Sequence, residues 1–186
     1  MMPFRKPLLR AFKSVLACSM YLIPSQKSVL VQGPGSIKKL PGLIREQGIR
    51  KPLIITDSIL MKLKLLNGLF AEFDAIGMSY AVYYGVQPNP TVDNIEEAYA
   101  LYVKNGCDAV VGFGGGSPMD CAKVVAARAA KPGLTADRMG GYFKILLSFH
   151  KKVPRIFAVP TTAGTGAETT SAAVVTDPRK HFKYTI

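Results

Sequence analysis

From Pro24 onward, short apolar runs alternate with longer segments whose apolar positions recur every three to four residues. Residues 28–32 read as a strand and residues 36–47 as a helix that Gly48 stops. Residues 52–56 form a continuous apolar run, the pattern of a strand covered on both faces of a parallel sheet. Helical spacing returns over residues 59–76, a strand over 80–84, and a helix over 91–105 with Gly106 as its stop. Residues 109–113 are predicted as strand, 118–130 as helix and 155–159 as strand. Strands alternating with helices of this length predict βαβ units. The expected fold is therefore α/β, Rossmann-like, with a parallel sheet and helices on both faces. The last stretch breaks the rhythm: strand over 172–176, turn over 177–180 and strand over 182–186, a C-terminal β-hairpin. The chain stops inside that strand, which leads us to expect a domain truncated at its C-terminal end.

The first 24 residues stand apart. Arg5, Lys6, Arg10 and Lys13 precede an apolar run over residues 15–23. That run is far shorter than the roughly twenty residues a membrane-spanning helix needs, and no A-x-A cleavage site follows it. Leu8, Phe12, Val15 and Ser19 recur at helical spacing, as do Leu9, Leu16 and Met20. We read residues 1–24 as an amphipathic helix packed on a neighbour, with membrane-surface attachment and export as alternatives, and residues 25–186 as a single domain.

Charge changes this picture little. The formal net charge is +12, from 24 Lys and Arg against 12 Asp and Glu. Residues 1–64 carry twelve basic and two acidic side chains, and the remainder twelve and ten. The excess is spread over helix faces with no nucleic-acid motif beside it, so no nucleic-acid partner is expected. Cys18, Cys107 and Cys121 show no CxxC spacing, which fits a reducing, cytoplasmic setting. The only two histidines, His150 and His181, are too few and too far apart for a familiar metal-ligand pattern.

The chemistry concentrates in two stretches. Gly114-Gly115-Gly116-Ser117-Pro118-Met119-Asp120 follows a predicted buried strand and opens a helix, the place where α/β proteins bind phosphates. Glycines let ligand oxygens approach backbone amides. Ser117 suits the N-cap and Pro118 the first helical position. A tight turn without a ligand is the alternative. The second stretch, Pro160 to Glu168, brings Thr161, Thr162 and Thr165 to the same edge of the sheet, to meet a nucleotide or to cap a following helix. Asp57 ends the strand over 52–56. It could accept from a ribose hydroxyl, or it could cap the next helix. Asn89, between Pro88 and Pro90, could present its amide to a cofactor or form an Asx turn.

Carrying GGGSPMD and PTTAGTGAE, with VQPNPT before them and VVTDP after, the chain from about Val29 onward resembles the iron-containing (group III) alcohol dehydrogenases. The resemblance implies a Rossmann-like NAD-binding domain, with the family's second, all-helical domain absent from this chain. It implies that Asp57 contacts the adenosine ribose, favouring NAD over NADP, and that Asn89 lies by the cofactor. Gly115, Gly116, Ser117, Pro118, Met119 and Asp120 would hold the pyrophosphate. Thr161, Thr162 and Thr165 would line the adenine and nicotinamide side, and Lys183 would lie near the nicotinamide ribose. Ala172 departs from relatives that carry a cofactor-contacting asparagine there. The family binds Fe²⁺ or Zn²⁺ through an aspartate and three histidines, and none of these has a counterpart here. No metal ligand and no catalytic residue is therefore assigned. The implied reaction is hydride transfer between a small alcohol or aldehyde and NAD, in a possible homo-oligomer, with this chain alone expected to be inactive. A non-catalytic nucleotide-binding fragment or pseudoenzyme is one alternative. A relative of glycerol dehydrogenase or dehydroquinate synthase is another.

Overall fold

A computed structural model describes residues 28–140, 153–170 and 172–186. The segment expected to be an amphipathic helix, residues 1–24, lies outside the described residues, as does Cys18. The chain divides into two compact units, Met1–Pro34 and Gly35–Ile186. In the first, residues 28–32 are irregular, and Val29 and Leu30 are exposed. The strand expected over 28–32 is therefore not formed. A strand needs a ladder as well as a pattern, and no described strand pairs with this one.

The second unit begins with a 3-10 turn, Ser36–Lys39, that runs into α1, Leu40–Glu46. One helix over 36–47 was expected. Pro41 divides it, because a proline ring is tolerated only in the first turn of an α-helix and so dictates where α1 starts. Strand β1, Pro52–Ile55, follows and is buried throughout.

The single helix expected over 59–76 is two helices, α2 (Ser58–Lys62) and α3 (Asn67–Ala75). Lys64 between them adopts φ 58°, which no helix tolerates. An unbroken helix would put Ile59, Leu63, Leu66 and Phe70 on one stripe. The break instead buries Leu66 completely and leaves Ile59 and Leu63 64% and 62% exposed. Periodicity ran through the break and concealed it.

Strand β2 (Ala81–Tyr83), α4 (Val92–Lys104), β3 (Ala109–Gly114), α5 (Gly116–Ala130) and β4 (Arg155–Pro160) complete the alternation. Thr91 caps α4, accepting from the Asn94 N–H while the Asn94 side chain accepts from the Thr91 N–H. The strands form one parallel sheet in the order β2-β1-β3-β4, and β5 (Val174–Asp177) and β6 (Phe182–Thr185) form the antiparallel hairpin. The expected α/β architecture and the hairpin are both present. The hairpin turn takes four residues, 178–181, with His181 at φ 48°. No helix among the described residues is long and apolar enough to cross a membrane.

The pleat sorts the core into two layers. Leu53, Ile55 and Val110 pack with Ile95, Ala98, Cys121 and Val125 of α4 and α5 on one face. Ile54, Val111 and Phe113 pack with Ile44, Leu69 and Phe73 of α1 and α3 on the other. Alternate residues of one strand thus belong to opposite layers, which is why the strands read as unbroken apolar runs.

Cys107 and Cys121 lie in the α4–α5 layer. Burial pushes the Cys107 thiol up to about 11, with Asp108 adding to the shift and Lys51 opposing it. Burial foremost, then the Asp120 and Glu97 carboxylates, raises Cys121 further. Thiolates are the reactive form, so both cysteines should resist iodoacetamide in the native chain at mildly alkaline pH and react once urea unfolds it. Peptide mass spectrometry reads this directly, and prompt native alkylation of either would show that the layer opens.

Candidate functional site

The chain leaves β1 for β2 on one side, then crosses back over β1 to reach β3 on the other. The direction of winding therefore reverses between β1 and β3. Open parallel sheets bind ligands in the crevice at such a reversal, outside the carboxyl ends of the strands. Thr56 and Asp57 leave β1 there, and Gly114, Gly115 and Gly116 leave β3.

The glycine turn is shaped by absent side chains. Gly114 has φ +145°, and a Cβ on it would stand 2.7 Å from Pro118 Cγ and 3.2 Å from Leu60 Cδ1. A Cβ on Gly115 would lie 3.1 Å from Thr162 Oγ1, and one on Gly116 would touch Thr165 and Ala167 at 3.9 Å. These would-be contacts identify what surrounds the turn: the α2 entry on one side and the threonine loop on the other. The turn is also pinned, since the Thr161 N–H donates to the Gly114 carbonyl at 2.9 Å.

Helix α5 starts earlier than expected. Gly115, in extended conformation, is the N-cap, and no side chain caps the helix. Ser117 and Pro118 therefore sit inside the first turn. The α5 amides are left to meet an anion at the positive end of a 15-residue helix dipole. Ser117 Oγ accepts the Asn89 N–H at 3.2 Å. Asn89 itself has φ 58°, which draws the Pro88-Asn89-Pro90 loop onto the glycine turn.

Asp57 caps α2, and both capping bonds, from the N–H groups of Ile59 and Leu60 at 2.9 Å, go to Oδ1. Among the described residues Oδ2 keeps its lone pairs for a ligand hydroxyl. Capping and ligand binding are thus compatible roles for one carboxylate. Thr161, Thr162 and Thr165 are exposed on the second loop, which Gly164 at φ 83° and Gly166 at φ 62° turn back on itself. Among the described residues no helix follows that loop directly, so the threonines cap none there.

Pro118 and Met119 are buried. Met119 packs beneath Gly112, where a Cβ would lie 3.1 Å from Met119 Cα, and Pro118 packs against Gly114. They support the turn from below. Asp120 is held by the protein: Oδ2 accepts the Val174 N–H at 3.1 Å, and Oδ1 accepts from Lys123 Nζ at 3.1 Å. Lys183 is exposed on β6, opposite Thr176 across the hairpin. No contact joins it to the glycine turn among the described residues.

Sequence reading passed over Lys123. Its Nζ donates to Asp120, to Thr170 Oγ1 at 2.9 Å and to the Ala172 carbonyl at 2.9 Å, tying the end of the threonine loop to α5. The i, i+3 spacing of Asp120 and Lys123 was the available signal. Among the described residues no cluster of three or more His, Cys, Asp or Glu could hold a metal ion. The residues described do not fit a metal, and no step through one follows from them.

Residues 27–186 match the family model described as iron-containing alcohol dehydrogenase. The chain is 34% identical over 152 residues to the lactaldehyde reductase of Escherichia coli K12, covering 82% of this chain and 39% of that protein. Among solved structures it resembles the NADH-dependent butanol dehydrogenase A of Thermotoga maritima, with TM-score 0.74 and 32% identity over 87% of this chain and 41% of that one. It also resembles the sulfoacetaldehyde reductase of Bifidobacterium kashiwanohense in complex with NAD⁺, with TM-score 0.73 and 29% identity over 83% and 39%. The chain spans about two fifths of the length of these relatives.

Proposed function

Because the chain belongs to the iron-containing alcohol dehydrogenase family, we propose that it supplies the NAD-binding part of a dehydrogenase acting on a small alcohol or aldehyde. The observation that carries this reading is the cradle around Gly114 to Ser117, where a Cβ at Gly114 or Gly115 would crowd its neighbours and where the α5 amides have no side-chain cap. NAD held there would supply hydride-transfer chemistry, taking a hydride from an alcohol as the hydroxyl proton is lost, or in the reverse direction giving one to an aldehyde that gains a proton. The protein's own contribution is position and electrostatics.

The first-turn amides of α5 take the pyrophosphate, and the Ser117 hydroxyl, fixed by Asn89, donates to it. Asp57 Oδ2 accepts from the adenosine ribose. Thr161, Thr162 and Thr165 line the opposite wall, and Lys183 reaches the nicotinamide ribose. Gly114, Pro118 and Met119 act through packing, and Asp120 acts through Lys123 and Val174. The iron or zinc of the family has no ligands among the described residues, so polarisation of the alcohol is assigned to none of them.

Titration of the purified chain, read by NADH fluorescence, tests the reading. NADH should bind saturably. NADPH should bind at least about tenfold more weakly, because its 2′-phosphate would be brought against the Asp57 carboxylate. Asp57→Ala should narrow that ratio. Absence of NADH binding would sink the proposal, and equal binding of the two would remove Asp57 from the ribose.

A further inference from the structure

We infer that Asn94 is a positioning residue for the cofactor site, whose side chain holds the loop over residues 85–91 so that Asn89 meets Ser117. The inference rests on the NAD reading above and adds a residue that touches no cofactor.

Asn94 lies in the first turn of α4 and is only 4% exposed. Its Oδ1 accepts two loop amides, from Gln87 at 3.3 Å and Thr91 at 3.2 Å. Its Nδ2 donates to the Gly85 carbonyl at 3.1 Å and to the Tyr83 hydroxyl at 3.3 Å. A primary amide offers two donors and an oxygen with two lone pairs, and here all are used. Its backbone N–H adds a fifth bond, to Thr91 Oγ1 at 3.1 Å.

The arrangement grips the loop on both sides of Asn89, at Gln87 two residues before it and at Thr91 two residues after. Asn89 occupies the left-handed region, a conformation that persists when its surroundings over-determine it. Its N–H then reaches Ser117 Oγ. The anchor is itself oriented. The Tyr83 hydroxyl donates to Glu97 Oε2 at 2.7 Å, which turns its lone pair toward Asn94. Burial first, then Glu97, raises the phenol well above its ordinary value, so it stays a donor. A leucine at 94 would fill similar space but leave the Gln87 and Thr91 amides and the Gly85 carbonyl without these partners. The loop would then shift to find water.

The test uses the full 186-residue chain with Asn94→Leu and Asn94→Asp, each alone and combined with Ser117→Ala. Asn94→Leu should weaken NADH binding about tenfold and speed amide exchange at Gln87 and Thr91. Asn94→Asp keeps the oxygen that accepts from Gln87 and Thr91, and its charge is favoured at a helix N-terminus, while the two donations to Gly85 and Tyr83 are lost. It should restore both amide protections and return affinity to within about threefold of the parent. In the Ser117→Ala background, Asn94→Leu should cost no further affinity, because both act through the Asn89–Ser117 contact. A general loss of stability would instead cost the same fold in both backgrounds, and that result overturns the inference. Unchanged affinity in Asn94→Leu overturns it as well. If Asn94→Leu does not fold, Asn94→Asp carries the test: affinity lost while Gln87 and Thr91 stay protected overturns it. Parent chain that fails to bind NADH overturns the NAD reading and this inference together. Parent binding that survives unchanged in Asn94→Leu overturns the inference alone.

Discussion

Gly114→Ala is expected to destabilise the folded chain by about 3 kcal/mol and to abolish measurable NADH binding. Two costs add. At φ +145° a side chain is strained whatever space surrounds it. The new methyl would also stand 2.7 Å from Pro118 Cγ. Leu60 Cδ1, at 3.2 Å, is the end of a flexible side chain and can swing aside. Pro118 cannot, because its ring is fixed in the first turn of α5 and buried. Relief must therefore come from moving the start of α5, and the amides of the cradle move with it. Gly68→Ala in α3 is the control: nothing lies within 4 Å of a Cβ there. That change should be neutral or stabilise by roughly 0.5 kcal/mol. Urea unfolding followed by circular dichroism, with NADH titration beside it, measures both. A Gly114→Ala chain as stable as the parent would mean that the turn is looser than its geometry says.

The second large effect is expected at Lys123. Lys123→Met should cost about 2–3 kcal/mol, less than the roughly 3–5 kcal/mol of a fully buried pair, because the Lys123 and Asp120 side chains keep 15% and 17% exposure. The loss is partly three hydrogen bonds and partly the Asp120 carboxylate, left with no cation beside it. Adding Asp120→Asn removes that charge and should recover roughly 1 kcal/mol. The double-mutant cycle in urea thus separates the ion pair from the tether to Thr170 and Ala172. If Lys123→Met unfolds at the parent's midpoint, the tether contributes nothing and the threonine loop is held by other means.

What was readable in the sequence divides along physical lines. The strands were legible because a sheet covered on both faces needs apolar residues at every position, as Leu53, Ile54 and Ile55 show by feeding alternate layers. The glycine turn and threonine loop were legible because their composition exceeds what a turn requires. The break at Lys64 was not, since the 3.6-residue period continues across it and the φ of one lysine leaves no mark on a hydrophobic pattern. The start of α5 was misplaced for a related reason. Ser117 and Pro118 are good opening residues, yet Ser117 is taken by Asn89, 28 residues earlier in the chain. Asn94 was hard to see because three partners of its side chain are backbone groups, at Gly85, Gln87 and Thr91, and Lys123 because Thr170 and Ala172 lie 47 and 49 residues away, although Asp120 at i, i+3 offered a signal. Such roles emerge only when the fold brings distant segments together.

The reversal of winding between β1 and β3 also has a consequence in time. The proposed cofactor site draws on Asp57, Asn89, the turn after Gly114 and the loop after Pro160, so its parts leave the ribosome more than a hundred residues apart. An N-terminal stretch ending at β2 would hold Asp57 and no anion cradle. One ending at α5 would lack the threonine wall. A ligand whose binding site is complete only once β4 is paired can offer little help to early folding steps. It acts instead by mass action on the finished sheet, raising the threshold for global unfolding more than for fraying at any one element.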